Sequence, residues 1–189
     1  MDYDMFLEMG SDPEVYPPCD DSRLLIESLD VHEGEEVLEI GCGSGVVSIH
    51  CAKNGCNVVC GDINPKAVEL TKRNAEANGV KLDVRETDVY SNIPERFDTI
   101  VFNLPYLPVD EEGLLAKAWS GGSDGLGPFP VLLEQAPEHL NKGGRLVVVV
   151  SSLMDTGALW DLLDRYEVER KGELKLFFEK LTVLEVRFD

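Results

Sequence analysis

The stretch Val37-Leu38-Glu39-Ile40-Gly41-Cys42-Gly43-Ser44-Gly45 runs from four strand-forming positions into a loop with glycine at every second place. Val46, Val47, Ile49 and Ala52 then follow with helical spacing, so the segment reads as strand, glycine turn, helix. Such a turn lets a ligand approach the main chain and the next helix's N-terminus, in the crevice where open parallel sheets bind cofactors. The spacing narrows the ligand. Counted from Gly41, a G-x-G-x-x-G fingerprint would need glycine where Val46 stands, and no G-K-[ST] occurs, so neither a dinucleotide loop nor a phosphate loop is present. What remains is Glu39-x-Gly41-x-Gly43-x-Gly45.

Downstream, Val58-Val59-Cys60 makes a second strand that ends at Asp62. Pro65 opens a helix carrying Ala67, Val68, Leu70 and Ala75, and Asn78-Gly79 stops it. Residues 80–86 alternate as a third strand, 99–102 form a fourth ending on Asn103, and 145–151 form a fifth. A helix holding Val131, Leu132 and Leu133 lies between the last two. A further helix is expected over 158–166, and the β-rich stretches 168–178 and 181–188 are close enough to pair as a hairpin. Upstream, Asp20 or Asp21 caps a helix whose stripe is Leu24, Leu25, Ile26 and Leu29. Residues 1–19 are irregular and include Tyr16-Pro17-Pro18, whose rings impose an extended path. Strands alternating with helices require a parallel sheet covered on both faces, an α/β fold.

The 189 residues, 43% of them apolar, suit one domain spanning 1–189 with a core of its own. Against 17 Lys and Arg stand 36 Asp and Glu, and the formal charge of −19 repels phosphate backbones. With no run of more than two basic residues, direct nucleic-acid binding is not expected. The N-terminus lacks the basic and apolar regions of a signal peptide, and the longest aliphatic run is only 146–150, so the expected location is cytoplasmic, away from membranes. The five cysteines are odd in number and contain no C-x-x-C pair, which suits reduced thiols better than a disulfide framework.

The acid two places before the first glycine makes the loop resemble motif I of class I S-adenosylmethionine-dependent methyltransferases. That resemblance implies a doubly wound, Rossmann-like domain with a mostly parallel seven-stranded sheet and a C-terminal antiparallel hairpin. It implies S-adenosyl-L-methionine as cofactor, S-adenosyl-L-homocysteine as its product, and no metal. Asp62 closes the second strand where a carboxylate can accept both ribose hydroxyls. Asp88 follows the third strand, where that family holds the adenine amine. A capped tight turn would account for the glycines but not for all three acids.

Asn103-Leu104-Pro105-Tyr106, delivered by the fourth strand to the same sheet edge, resembles the [ND]-P-P-Y motif of amino-methyltransferases. A planar amide or exocyclic amine nitrogen is a poor nucleophile because its lone pair is delocalised. A site for it must hold both N–H groups on acceptors and aim the nitrogen at the methyl group. The Asn103 side-chain oxygen and a carbonyl near Leu104 can supply those acceptors, and the Tyr106 ring can wall the planar group. Leu104 replaces the motif's first proline, which keeps the carbonyl and gives up ring rigidity.

Together with Tyr16-Pro17-Pro18-Cys19-Asp20-Asp21-Ser22 and Ala118-Trp119-Ser120-Gly121-Gly122-Ser123-Asp124-Gly125, this motif makes nearly the whole chain resemble the HemK-type protein-(glutamine-N5) methyltransferases. The length matches their short archaeal and eukaryotic branch. The resemblance implies methylation of the glutamine in the Gly-Gly-Gln tip of a class-1 translation release factor. It assigns catalysis to Asn103, Pro105 and Tyr106, and acceptor contacts to Asn103, Leu104, Tyr106 and Trp119. It assigns the cofactor to Tyr16, Ser22, Glu39, Gly41, Gly43, Gly45, Asp62, Ile63, Asp88, Val89 and Asn103. It further implies a heterodimer with a small zinc-binding activator subunit shared with tRNA and rRNA methyltransferases. The strand at 82–85, outermost in this topology, is the candidate edge for it. Residues 1–18 either fold over the cofactor or form a loose terminus.

Other readings are weaker. Protein-lysine or nucleic-acid adenine methylation would use a similar site, but charge opposes DNA, and a lysine ammonium needs a base that the sequence does not offer. Gly121-x-Ser123-x-Gly125 matches a nucleophile elbow in letters, without the strand before it or the helix immediately after. Cys51, Cys56 and Cys60 with His50 lack paired ligand spacing, because Cys60 belongs to a strand and Cys51 to a helix. His32, His50 and His139 share no spacing and are expected at the surface or at helix ends. Glu111-Glu112 reads as a solvated face that could attract a basic segment.

Overall fold

The computed structural model describes residues 1–188. Seven strands, β1 (Glu36–Ile40), β2 (Asn57–Asp62), β3 (Asp83–Glu86), β4 (Phe97–Asn103), β5 (Leu140–Ser151), β6 (Glu167–Lys175) and β7 (Lys180–Arg187), form one sheet in the order β3-β2-β1-β4-β5-β7-β6. The first five are parallel, and β7 pairs antiparallel with both β5 and β6, the expected C-terminal hairpin. The order reverses between β1 and β4, and that switch point is where such sheets open a crevice.

Alternation along β1 splits the core between two faces. Leu38 and Ile40 join the cluster under α4 (Phe129–His139) and α5 (Thr156–Leu163); Val37 joins the one under α1 (Asp20–Ser28) and α2 (Val46–Lys53). The helix α3 (Pro65–Ala77) begins with Pro65 at its first turn and the Asn64 side chain capping the Lys66 N–H at 2.9 Å. Among the described residues no helix is long and apolar enough to cross a membrane.

Three local expectations are corrected. The third strand begins at Asp83, not at 80: Val80 N–H still bonds Ala75 O at 3.0 Å, and Gly79 at φ +65° turns the chain off α3. The fifth starts earlier, at Leu140, because a register shift beside Phe97 and Thr99 accommodates extra residues. The last helix runs from Thr156 to Leu163, its start set by the Asp155 cap on Ala158 N–H. His50 lies in the last turn of α2, a helix end as expected, and is buried there. Its Nδ1 sits 2.7 Å from Val46 O, and its Nε2 accepts the Asp4 N–H at 2.8 Å.

That last bond belongs to a set that ties down the N-terminal segment. The terminal ammonium donates to Leu29 O at 2.7 Å, and Tyr3 stacks on His50 at 5.2 Å. On α3 and its cap, Asn78 exchanges two bonds with the main chain of Glu8. Asn74 accepts from Gly10 N–H at 2.8 Å, and Asn64 donates to Glu14 O at 2.7 Å. The segment is a strap over α3, and it delivers Tyr16-Pro17-Pro18 to the carboxyl end of the sheet.

Candidate active site

The glycine loop works because three residues adopt a left-handed backbone: Gly41 at φ +66°, Gly43 at +54° and Gly45 at +80°. A side chain at Gly41 would run into the Phe102 ring at 2.6 Å, and one at Gly45 into Thr71 at 2.7 Å. Gly43 is different. Its missing Cβ would meet nothing closer than 3.8 Å, so its bare backbone faces open space.

Asp62, at the end of β2, holds this loop in place. One carboxylate oxygen accepts Gly43 N–H at 2.9 Å and the other accepts Asn64 N–H at 2.8 Å. Burial raises the Asp62 pKa while these bonds oppose the rise. Glu39 is buried within β1 and accepts from the Ser48 N–H at 2.9 Å and from the Ser48 hydroxyl. Desolvation lifts its carboxyl to about 8, despite those bonds. Val89 is the one non-glycine residue with positive φ among those described, at +49°. A β-branched residue there is strained, and such strain gathers at ligand sites.

These elements surround a cleft of about 490 Å³, within the range of small-molecule sites. Of the residues assigned to the cofactor from sequence, Tyr16, Ser22, Glu39, Gly41, Gly43, Asp62, Ile63, Asp88, Val89 and Asn103 all line it, as does Pro105 of the acceptor motif. Gly45 does not; it packs against α3 instead. The Leu104 side chain is buried in the core under α4 and α5. Tyr106 is half-buried and packs on both core clusters, and burial pushes its hydroxyl pKa upward. Trp119 sits outside the wall, 6.3 Å from the Tyr16 ring, with its indole N–H on Glu111 at 3.0 Å. Sequence reasoning missed Phe102, Thr87, Asn64 and Leu126, which line the cleft too. Only the pairing of Ile40 with Phe102 reveals that this ring lies beside the glycine loop.

The fit to the expected cofactor is decided by unmet chemistry in the cleft. Asn103 Oδ1 is buried and accepts no hydrogen bond, the only such side-chain atom among the described residues. An orphaned buried acceptor costs about 1–3 kcal/mol, and because Asn103 lines the cleft, a ligand N–H that reaches Oδ1 would complete it. Glu14, Asp62, Asp88 and Asp124 line the cleft against a single basic side chain, Lys117, a balance that suits a cationic ligand. The free backbone at Gly43 allows close approach. A ligand with a diol for Asp62 and a positive centre near Asn103 fits.

A switch-point cleft with a glycine loop, an acid ending β2 and an orphaned asparagine ending β4 is the site of a class I methyltransferase. The chain belongs to the methyltransferase small domain family, whose model matches residues 18–177, and S-adenosylmethionine is its methyl donor. It is 40% identical over 179 residues, 91% of each chain, to a Methanocaldococcus jannaschii protein named provisionally as an N5-glutamine methyltransferase. It is 35% identical over 150 residues to the release factor glutamine methyltransferase of Geobacter sulfurreducens, covering 72% of this chain and 53% of that one. Among solved structures it resembles the E. cuniculi Mtq2-Trm112 complex, with a TM-score of 0.75 and 21% identity over 93% of this chain and 99% of that chain. The resemblance to HemK-type enzymes read from the motifs thus agrees with the relatives.

Proposed function

We propose that the chain methylates the N5 side-chain amide of the glutamine in the Gly-Gly-Gln tip of a class-1 translation release factor. The observation that carries this reading is the buried, unpaired Oδ1 of Asn103, a residue that lines the cleft. A primary carboxamide offers two N–H groups. One bonds to Asn103 Oδ1, and the main-chain carbonyl at Leu104 is the second acceptor. Held in this way, the nitrogen is aimed along the S–CH3 axis, and fixing that geometry supplies most of the rate. The sulfonium donor brings an activated methyl group with a neutral thioether as leaving group. The new N–CH3 bond forms as the S–CH3 bond breaks, and the nitrogen then loses one proton to solvent, so no strong base is required. Support for the acceptor comes from the names of the relatives at 40% and 35% identity.

The same proposal includes a small zinc-binding partner subunit. The E. cuniculi neighbour was solved as a complex with Trm112 and is described as methylating the termination factor eRF1. Among the described residues β3 pairs only with β2, which leaves one edge of the sheet open for a partner strand.

The test is to offer labelled S-adenosylmethionine and the chain, alone and with the partner, to release factor, to its Gln→Ala tip variant, to a histone-like peptide and to DNA. Label confined to the factor and lost in the Gln→Ala variant is expected. Label that survives that substitution, or appears only on peptide or DNA, overturns the assignment.

A further inference from the structure

The turn that follows Asn103 is shaped by glycines eighteen to twenty-two residues further on. The chain from Leu107 to Gly127 forms a loop that returns to the same place. Leu107 N–H bonds Trp119 O at 2.9 Å, Gly121 N–H bonds Leu107 O at 2.8 Å, and Gly127 N–H bonds Gly121 O at 2.8 Å. The returning segment lies directly on the main chain of the acceptor motif. A Cβ at Gly121 would stand 2.6 Å from Pro105 O and 2.7 Å from the Gly125 backbone. One at Gly125 would stand 2.6 Å from Tyr106 O and 3.2 Å from Met154 Cα. Backbone atoms are not flexible side-chain ends, so contacts this short displace something.

What yields is decided by the surrounding bonds. The Asn103 main chain is held by its place in β4, paired with Val149 of β5, whereas its side-chain Oδ1 has no hydrogen bond to hold its direction. The glycine segment is fixed on its far side, where Asp155 N–H bonds Asp124 O at 2.7 Å and the Asp124 side chain accepts Leu126 N–H at 2.9 Å. Met154 is buried, with its sulfur on Ser151 N–H. The link left to move is Pro105-Tyr106, attached directly to the asparagine turn.

We infer that Gly121 and Gly125 are positioning residues for methyl transfer: their missing side chains set the path of Pro105 and Tyr106 and thereby the aim of Asn103 and the Leu104 carbonyl. This rests on the acceptor role given to Asn103 above. The need is for close backbone approach at both positions, and only Gly125, at φ +73°, also needs a left-handed conformation. Gly113 provides the control. It lies in the same loop at φ +116°, where a side chain strains the backbone but its Cβ meets no atom within 4 Å, so it carries the strain without the contact.

The experiment compares Gly121→Ala, Gly125→Ala and Gly113→Ala with the unchanged chain. Three quantities are measured: methylation kinetics on the release factor, S-adenosylhomocysteine affinity by calorimetry, and the Asn103 side-chain amide resonance by NMR. For Gly121→Ala and Gly125→Ala, kcat is expected to fall on the order of 10- to 100-fold, with product affinity within a few-fold and the Asn103 resonance displaced. Gly113→Ala is expected to leave all three near their original values. If Gly125→Ala does not fold, Gly121→Ala decides alone, since its backbone needs no left-handed conformation. An unmoved resonance and unchanged kcat in Gly121→Ala overturn the inference, as does an equal loss in Gly113→Ala or a parallel loss of product affinity. An unchanged chain that ignores release factor would defeat the glutamine reading instead, and the resonance would still judge this one.

Discussion

Asp62 and Asn103 end β2 and β4 at the same end of the sheet and differ in what they already hold. Asn103 Oδ1 is unpaired, so Asn103→Ala removes an acceptor that the chain itself does not use. Turnover is expected to vanish with product affinity held within a few-fold; calorimetry beside a methylation assay checks this, and retained activity contradicts the amide clamp. Asp62 has both carboxylate oxygens engaged, on Gly43 and Asn64. Asp62→Ala should weaken S-adenosylhomocysteine binding by roughly tenfold or more, the scale of a lost hydrogen bond to a charged group. Glu39 predicts a pH effect. Its carboxyl rises from 4.5 to about 8 on burial, so the folded state holds a proton that the unfolded chain has released. That contribution is intact below pH 4.5 and is lost as pH climbs toward 8, at up to ~1.4 kcal/mol per unit. Glu39→Gln mimics the protonated form, so urea titrations between pH 5 and 8 should show its stability gaining on the unchanged chain; parallel curves would refute the shift. Glycines 41, 43 and 45 and the acids were legible in sequence because their chemistry is local. The burial of Glu39 and the orphaning of Asn103 depend on what packs around them.

At the scale of elements, α3 joins the strap to the glycine loop. Asn74 donates to Ser44 O at 2.8 Å while accepting from Gly10 N–H at 2.8 Å, and Thr71 donates to Gly43 O at 3.0 Å. One buried amide therefore holds both the loop that faces the cleft and the segment that carries Tyr16. Asn74→Ala leaves Ser44 O and Gly10 N–H without it, at about 1–3 kcal/mol for each group that stays dry. The expected result is lower stability in urea and faster proteolysis within residues 1–15. Unchanged cleavage would show that the other asparagines suffice. Sequence left two readings of this segment open, because its residues have no periodicity. Its order comes from side-chain amides on α3 and its caps, fifty to seventy residues away. The order of helices and strands was legible from apolar spacing, whereas β3 came out shorter because the C-terminal turn of α3 consumes residues that alternate like a strand.

The whole molecule carries a charge of −19, and its ion pairs do not remove that excess. Several, such as Arg23 with Glu27 and Lys180 with Glu173, are exposed and worth little. Glu185 of β7 is buried with Arg145, Lys171 and Arg187 around it, and Glu35 is largely buried beside Arg145. Unscreened repulsion among the remaining acids predicts that Tm rises as KCl is raised toward ~1 M, where the Debye length shrinks to about 3 Å. A melting temperature indifferent to salt, or falling with it, would contradict this. Alternation, glycine spacing and the acids closing strands were enough to determine the fold class, the switch-point crevice and most of the cleft wall, since each depends on backbone conformation and on residues near in sequence. Three matters waited for the tertiary structure: Phe102 and the strap enclose the cleft, Gly45, Tyr106 and Trp119 stay off its wall, and two distant glycines bear on the acceptor turn. Those outcomes depend on contacts between segments far apart in the chain, and no local pattern encodes which backbone will lie against which.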